Sequence, residues 1–164
     1  KADKNQIFAQ FTNIYNFIYC IFLKTDKMNK EISVEWKGDM AFEAHIDGFS
    51  VMMDATPASG GKNLGPTPKP LLMASLGGCT GMDVISLARK MRQEVESLEI
   101  KLQGTIADEH PMSYQSIHLV YIFKGNNLEV EKLQKAIDLS QEKYCGVSAT
   151  IKAGVRITYE VVIL

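Results

Sequence analysis

Apolar positions along this chain follow two different periods, and the switches between them delimit the elements. Over residues 1–27, Ile7, Phe8, Phe11, Ile14, Tyr15, Ile18 and Phe22 recur at helical spacing, with Gln10, Asn13 and Asn16 between them. That pattern, with no glycine or proline, predicts an amphipathic helix. Its polar face lacks the Lys/Arg stripe of a membrane-lying helix, so it is expected to pack on its own domain or on a partner subunit. Residues 1–27 are therefore set apart as an N-terminal helical extension, native or introduced upstream, and residues 28–164, opening at Met28, as the folded domain.

From Ile32 to Asp54 the period is two. Ile32, Val34 and Trp36 alternate with polar residues, Lys37-Gly38-Asp39 supplies a turn, and Met40, Phe42 and Ala44 alternate again. Asp47-Gly48 is a hairpin signal leading into Phe49, Val51 and Met53, and together these predict an antiparallel meander of three strands. Residues 55–68, rich in glycine and proline, predict an irregular loop. That loop leads into the longest helical pattern in the chain, Pro70 to Arg92, with Leu72, Leu76, Met82, Ile85 and Met91 on its apolar positions. At about 35 Å such a helix crosses a domain of this size.

Beyond it, Leu98, Ile100 and Leu102 predict a strand over 97–106, and Ile117, Leu119, Tyr121 and Phe123 a return strand over 116–124. A second helix is predicted from Glu129 to Lys143, ending just before Cys145-Gly146, and a last strand over Val155 to Ile163. The fold class is thus α+β, in the order β-β-β-α-β-β-α-β, with a long central helix and an extra helix in front.

Composition narrows the reading. The 164 residues carry a formal charge of −1, with 18 basic and 19 acidic side chains and no basic block. Neither nucleic acid nor an anionic membrane is expected as a partner. No run of 18 apolar residues spans a bilayer, and no signal peptide is evident, so a cytoplasmic location is expected. The cysteines, Cys20, Cys79 and Cys145, are too few and too scattered for a disulfide framework, and no Cys-x-x-Cys or His-x-x-x-His spacing offers a zinc site. No metal or cofactor is expected. His45 and His118 alternate with apolar neighbours and are expected to face solvent; no catalytic role falls to them or to His110.

Candidate chemistry sits on the central helix, where Gly77, Gly78 and Gly81 flank Cys79. Each interior glycine costs ~1 kcal/mol of helix stability, so small residues are wanted for another reason. Either a neighbouring segment approaches closely, or a ligand needs room to reach the sulfur. Cys145 stands after the second helix, in Tyr144-Cys145-Gly146-Val147-Ser148. The combination of Gly65-Pro66-Thr67-Pro68, Leu71-Leu72, Gly77-Gly78-Cys79 and Tyr144-Cys145 resembles the OsmC/Ohr family, the osmotically induced and organic-hydroperoxide-resistance proteins, over roughly residues 30–164.

The resemblance implies an intertwined homodimer with sites at the subunit interface. It also implies thiol peroxidase chemistry toward organic hydroperoxides, with Cys79 attacking and Cys145 resolving, and an external dithiol reductant such as a lipoyl protein. The family's peroxidases carry an activating arginine from the N-terminal strands and a glutamate ahead of the helix cysteine. Here the arginines are Arg89, Arg92 and Arg156, and the positions before the helix read Lys69-Pro70. Lys37 or Lys62 is then the candidate positive charge and Glu43 the candidate carboxylate. A relative lacking catalysis, acting as a redox sensor or binding a small apolar molecule as a dimer, is the alternative.

Overall fold

The computed structural model describes residues 30–164, so the helix predicted over residues 1–27 lies outside the described residues. The meander is observed: β1 (Ser33–Trp36), β2 (Phe42–Ile46) and β3 (Phe49–Met53) pair antiparallel in that order. Gly38, Asp39, Asp47 and Gly48 carry positive φ at its two reversals, a conformation that glycine and aspartate tolerate best. This small sheet touches the rest of the described chain only sparsely.

The loop that leaves β3 is irregular apart from one turn of 3-10 helix at Pro57–Ser59, yet it is held. The Asp54 carboxylate accepts hydrogen bonds from the backbone N–H groups of Ala55 (2.8 Å), Lys62 (2.8 Å) and Leu64 (3.1 Å). These bonds, that from Leu64 foremost, stabilise the charged form and keep the Asp54 pKa below the ordinary carboxylate value.

The central helix, α1, runs Pro68–Lys90, two residues earlier at each end than its apolar pattern predicts. Pro68 and Pro70 both occupy the first turn, where a missing N–H costs nothing, and the chain leaves the helix before Arg92, whose φ of 58° is left-handed. By length and composition α1 could cross a membrane, and only 28% of its apolar window is buried in this fold. Its inner face presents Leu76, Thr80, Val84 and Ala88, four residues apart and fully buried.

That face covers a second sheet. β4 (Glu94–Ile106) and β5 (Tyr114–Asn126) pair antiparallel, and β6 (Arg156–Ile163) joins the other edge of β5 in parallel. The first two strands run longer than predicted: a bulge between Val95 and Ser97 absorbs the break in alternation at Glu96, and a second register shift between Thr105 and Ile106 brings in Tyr114 at the other end. Ile117, Leu119, Tyr121 and Phe123 of β5 form the floor of the core, with no exposed surface. His45 and His118 are about two-fifths exposed, hydrogen-bonded to Ser50 (3.1 Å) and Thr158 (2.8 Å).

The second helix differs most from expectation. Instead of running from Glu129 to Lys143, α2 spans Val130–Leu139; its entry is held by Gln93, whose side-chain oxygen accepts from Glu129 N–H at 2.7 Å. Residues Ser140–Tyr144 then widen into a π turn, Cys145 N–H donating to Ser140 C=O at 2.8 Å, and an unpredicted helix α3 (Gly146–Ile151) comes next. The wider turn rotates polar residues Ser140 and Gln141 into the interior, and apolar periodicity carries no signal of that.

The glycines of α1 resolve into two kinds. A Cβ on Gly77 would lie 3.0 Å from Leu102 Cδ1 and one on Gly81 3.1 Å from Ile100 Cδ1, so both let α1 settle on β4; Gly78 faces open space. Tighter still is Gly104, where a Cβ would meet the Tyr114 ring at 2.5 Å and Met73 Sδ at 3.0 Å. Gly104→Ala is therefore expected to lower the unfolding free energy by about 1–3 kcal/mol, read from urea denaturation followed by circular dichroism.

Candidate functional site

Cys79 projects from the middle of α1 and is partly exposed; Cys145, the residue ahead of α3, is buried and joins the core. The fold brings them together. Cys79 Sγ, Cys145 Sγ and an Asp83 carboxylate oxygen all lie within 4.8 Å of one another. Asp83 lies four residues beyond Cys79 on one helix, the spacing that stacks side chains on the same face. A Cys-x-x-x-Asp pattern was the available signal for Asp83, and apolar periodicity passes over it.

The thiols differ in environment. Burial, then a hydrogen bond with Cys79, push the Cys145 pKa up to about 11, and the Asp83 charge acts in the same direction. The Ser148 N–H, donating to Cys145 Sγ at 3.3 Å, opposes this in part. Cys145 is thus a protonated, shielded thiol at neutral pH, and Cys79 is the one that solvent reaches.

Beneath them lies a closed polar network. Ser140 donates to Asp83 Oδ2 (3.0 Å) and, having one proton, accepts from Thr80 Oγ1 (2.9 Å). Thr80 then accepts from Tyr121 OH (2.8 Å) and Gln141 Nε2 (3.2 Å); Gln141 Nε2 also donates to Tyr121 OH (3.1 Å), and Gln141 Oε1 accepts from Ser148 Oγ (2.6 Å). All the donors point one way, from Ser148 toward the Asp83 carboxylate. Among the described residues no buried side-chain polar atom lacks a partner.

The three secondary candidates sit elsewhere. Glu35 and Glu43 stand opposite each other across β1 and β2, and Lys37 Nζ neutralises both at 2.9 Å. The hydrogen bond with Glu43 raises the Lys37 pKa, and the hydrogen bond with Lys37 lowers the pKa of each glutamate. Lys62 pairs with Asp39 at 2.6 Å. Within the described residues of one chain, no hydrogen bond or ion pair joins Lys37, Lys62 or Glu43 to Cys79.

The profile of the family described as "OsmC-like protein" matches residues 60–160. The chain belongs to the OsmC-like family. Among curated sequences this OsmC-like protein is similar to Protein YhfA of Escherichia coli strain K12, with 36% identity over 132 residues, covering 79% of this chain and 96% of that protein. Among solved structures it resembles a hypothetical protein from Aquifex aeolicus VF5, with 31% identity, a TM-score of 0.72, and coverage of 83% of this chain and 98% of the other. The organic hydroperoxide resistance protein OhrB of Bacillus subtilis shares the fold at 20% identity and a TM-score of 0.57, over 82% of this chain and 98% of the other. The expected α+β architecture of the OsmC/Ohr family is thereby found, with the added helix α3 as its amendment.

Thr80 is the hub of the polar network, with three partners and no exposed surface. Thr80→Val preserves shape but leaves the Tyr121 O–H without its acceptor and Ser140 Oγ without its donor, so it is expected to cost about 1–3 kcal/mol in urea denaturation. Thr80→Ser, which keeps the hydroxyl, is expected to recover most of that polar loss.

Proposed function

We propose that this OsmC-like protein is a thiol-dependent peroxidase that reduces organic hydroperoxides in the cytoplasm as part of an oxidative or osmotic stress response. The observation that carries this reading is the pairing of an accessible thiol, Cys79, with a buried thiol, Cys145, whose sulfurs lie within 4.8 Å. In the proposed cycle the Cys79 thiolate attacks the distal peroxide oxygen, the O–O bond breaks, and the alcohol leaves after taking a proton. The sulfenic acid on Cys79 then condenses with Cys145, releasing water and forming a disulfide, which shields Cys79 from further oxidation. An external dithiol, such as a lipoyl protein, returns the pair to thiols.

Asymmetry of the two thiols supports the division of roles. A raised pKa keeps Cys145 protonated and out of competition for peroxide, while burial keeps it beside its partner. An arginine fork is absent from the N-terminal strands β1–β3, so the fixed bidentate donor that would activate the attacking thiol is missing there. We therefore propose a slow peroxidase.

A homodimer is part of the proposal. Trp36 is 65% exposed, Phe49 76% and Met82 75%, so apolar surface of the small sheet and of the outer face of α1 lies open together. An open groove of about 700 Å³ beside Gly78, Gly81, Met82 and Ile85 continues that face. A second copy covering it would bury the outer side of α1 and place a partner's strands near Cys79. Light scattering at micromolar protein is expected to give twice the mass of one chain. Gly78→Leu, whose Cβ meets nothing within 4 Å among the described residues, is expected to weaken that dimer without unfolding the protomer.

The chemical test uses stoichiometric cumene hydroperoxide on reduced protein. Wild type is expected to form a Cys79–Cys145 disulfide within one chain, detected by mass spectrometry. Cys145→Ser is expected to stop at sulfenic acid on Cys79 and to reach sulfinic acid with excess oxidant. Cys79→Ser is expected to lose fast peroxide consumption. A wild-type rate no higher than that of free cysteine at the same pH would remove the peroxidase reading in favour of a redox sensor or a ligand-binding dimer.

A further inference from the structure

Two thiols and a carboxylate converge at one point of the fold, and their donor atoms match what a four-coordinate metal ion requires. Zinc binds cysteine sulfur at ~2.3 Å and carboxylate oxygen at ~2.0–2.2 Å, which puts ligand atoms of a tetrahedral site roughly 3.5–3.8 Å apart. Cys79 Sγ, Cys145 Sγ and the Asp83 oxygen are already within 4.8 Å of one another, so small side-chain movements suffice to close the set. We propose that the reduced protein binds one zinc-class divalent ion through Cys79, Cys145 and Asp83, with the fourth position on the Cys79 side left to water or another exogenous ligand.

Three observations beyond proximity support the site. Ser140 Oγ donates to Asp83 Oδ2 at 3.0 Å, which orients the carboxylate and leaves its other oxygen available. Ser148 N–H, at 3.3 Å, holds the Cys145 sulfur, and both serines belong to the buried network below. Such outer partners are what fix ligands in metal sites. Among the described residues of one chain Asp83 also has no lysine, arginine or histidine ion-pair partner, so a cluster that is anionic once its sulfurs are thiolates has no cation from those residues. A thiolate pair excludes the hard ions magnesium and calcium and favours zinc among the available divalent metals.

The other acidic cluster in the described chain shows the contrast. Glu35, Glu43 and His45 also bring their donor atoms within 4.8 Å, but Lys37 Nζ already sits 2.9 Å from both carboxylates and fills the cation's place. Among the described residues only the Cys79 cluster combines soft donors with an unfilled positive requirement.

Metal and peroxide would compete for the same sulfurs. A hydroperoxide that oxidises the loaded pair breaks its O–O bond, joins the two sulfurs in a disulfide, and takes two protons from water to leave as alcohol and water. Both thiolate ligands are lost and the ion is released. The metal site stands on donor geometry and does not depend on the peroxidase reading.

The test uses the full chain, reduced and stripped with chelator, titrated with cobalt(II) and then zinc. The expected result is one cobalt per chain, with a near-ultraviolet thiolate-to-cobalt charge-transfer band and tetrahedral visible bands, both abolished by zinc. Cys79→Ser should weaken zinc binding at least ~100-fold, Asp83→Asn roughly 10-fold, and protein whose Cys79–Cys145 disulfide has been formed with a thiol oxidant and verified by mass should bind none. Wild-type zinc should also protect both Cys79 and Cys145 from iodoacetamide, a readout that needs no variant to fold. Absence of the charge-transfer band at millimolar cobalt, or zinc affinity unchanged in a folded Cys79→Ser protein, overturns the proposal. Peroxide consumption by the metal-free wild type is scored separately, so loss of one reading leaves the other standing.

Discussion

The one-way hydrogen-bond chain from Ser148 through Gln141, Tyr121, Thr80 and Ser140 to Asp83 ties four elements of the main layer together. It joins α1, β5, the π turn and α3 inside a core whose other walls are Ile117, Leu119, Phe123, Leu133 and Ile137. Burying this many polar atoms is tolerable only because each has its partner, and losing one member leaves another orphaned in a low-dielectric interior. The chain of bonds therefore dictates where the π turn sits. With that turn set, Cys145 falls beside Cys79, and Lys152 Nζ, bonded to Gln141 C=O at 2.7 Å, closes the segment from outside.

The same arrangement sets the electrostatics of the thiols. Asp83 anchors the end of the hydrogen-bond chain and at the same time stands next to both sulfurs. A carboxylate there adds to the raised pKa of Cys145, yet it is what a cation held by two sulfurs would use. A peroxidase proposal and a metal proposal thus draw on one geometry through opposite signs of charge, and Lys37 and Lys62 are engaged in neutralising glutamate and aspartate on the N-terminal side.

The fold is also uneven in how it satisfies its apolar surface. One side of α1 is sealed by Leu76, Thr80, Val84 and Ala88 over β4 and β5, with Gly77 and Gly81 allowing close approach; the side carrying Leu72 and Met82 is open. The small β1–β3 sheet, with Val34, Trp36 and Phe49 exposed, has little of the described chain to pack against. A helix apolar around most of its circumference calls for cover on both sides.

From sequence alone the order of the six strands, the turns at Lys37–Asp39 and Asp47-Gly48 and the long central helix were legible, and Cys79 and Cys145 could be singled out as candidates. Those features depend on local spacing, on turn residues and on motifs that any window of the chain displays. Features that depend on distant partners were not legible: the parallel placement of β6, the π turn at Ser140–Tyr144, helix α3, and the role of Asp83. Ser140 and Gln141 read as ordinary polar helix residues until Thr80 and Tyr121 are brought within hydrogen-bond reach, and Asp83 reads as solvent-facing until Cys145 closes on its helix. Apolar periodicity reports which residues leave water, whereas only the tertiary structure decides which polar groups go with them, because each needs a specific partner far away in the chain.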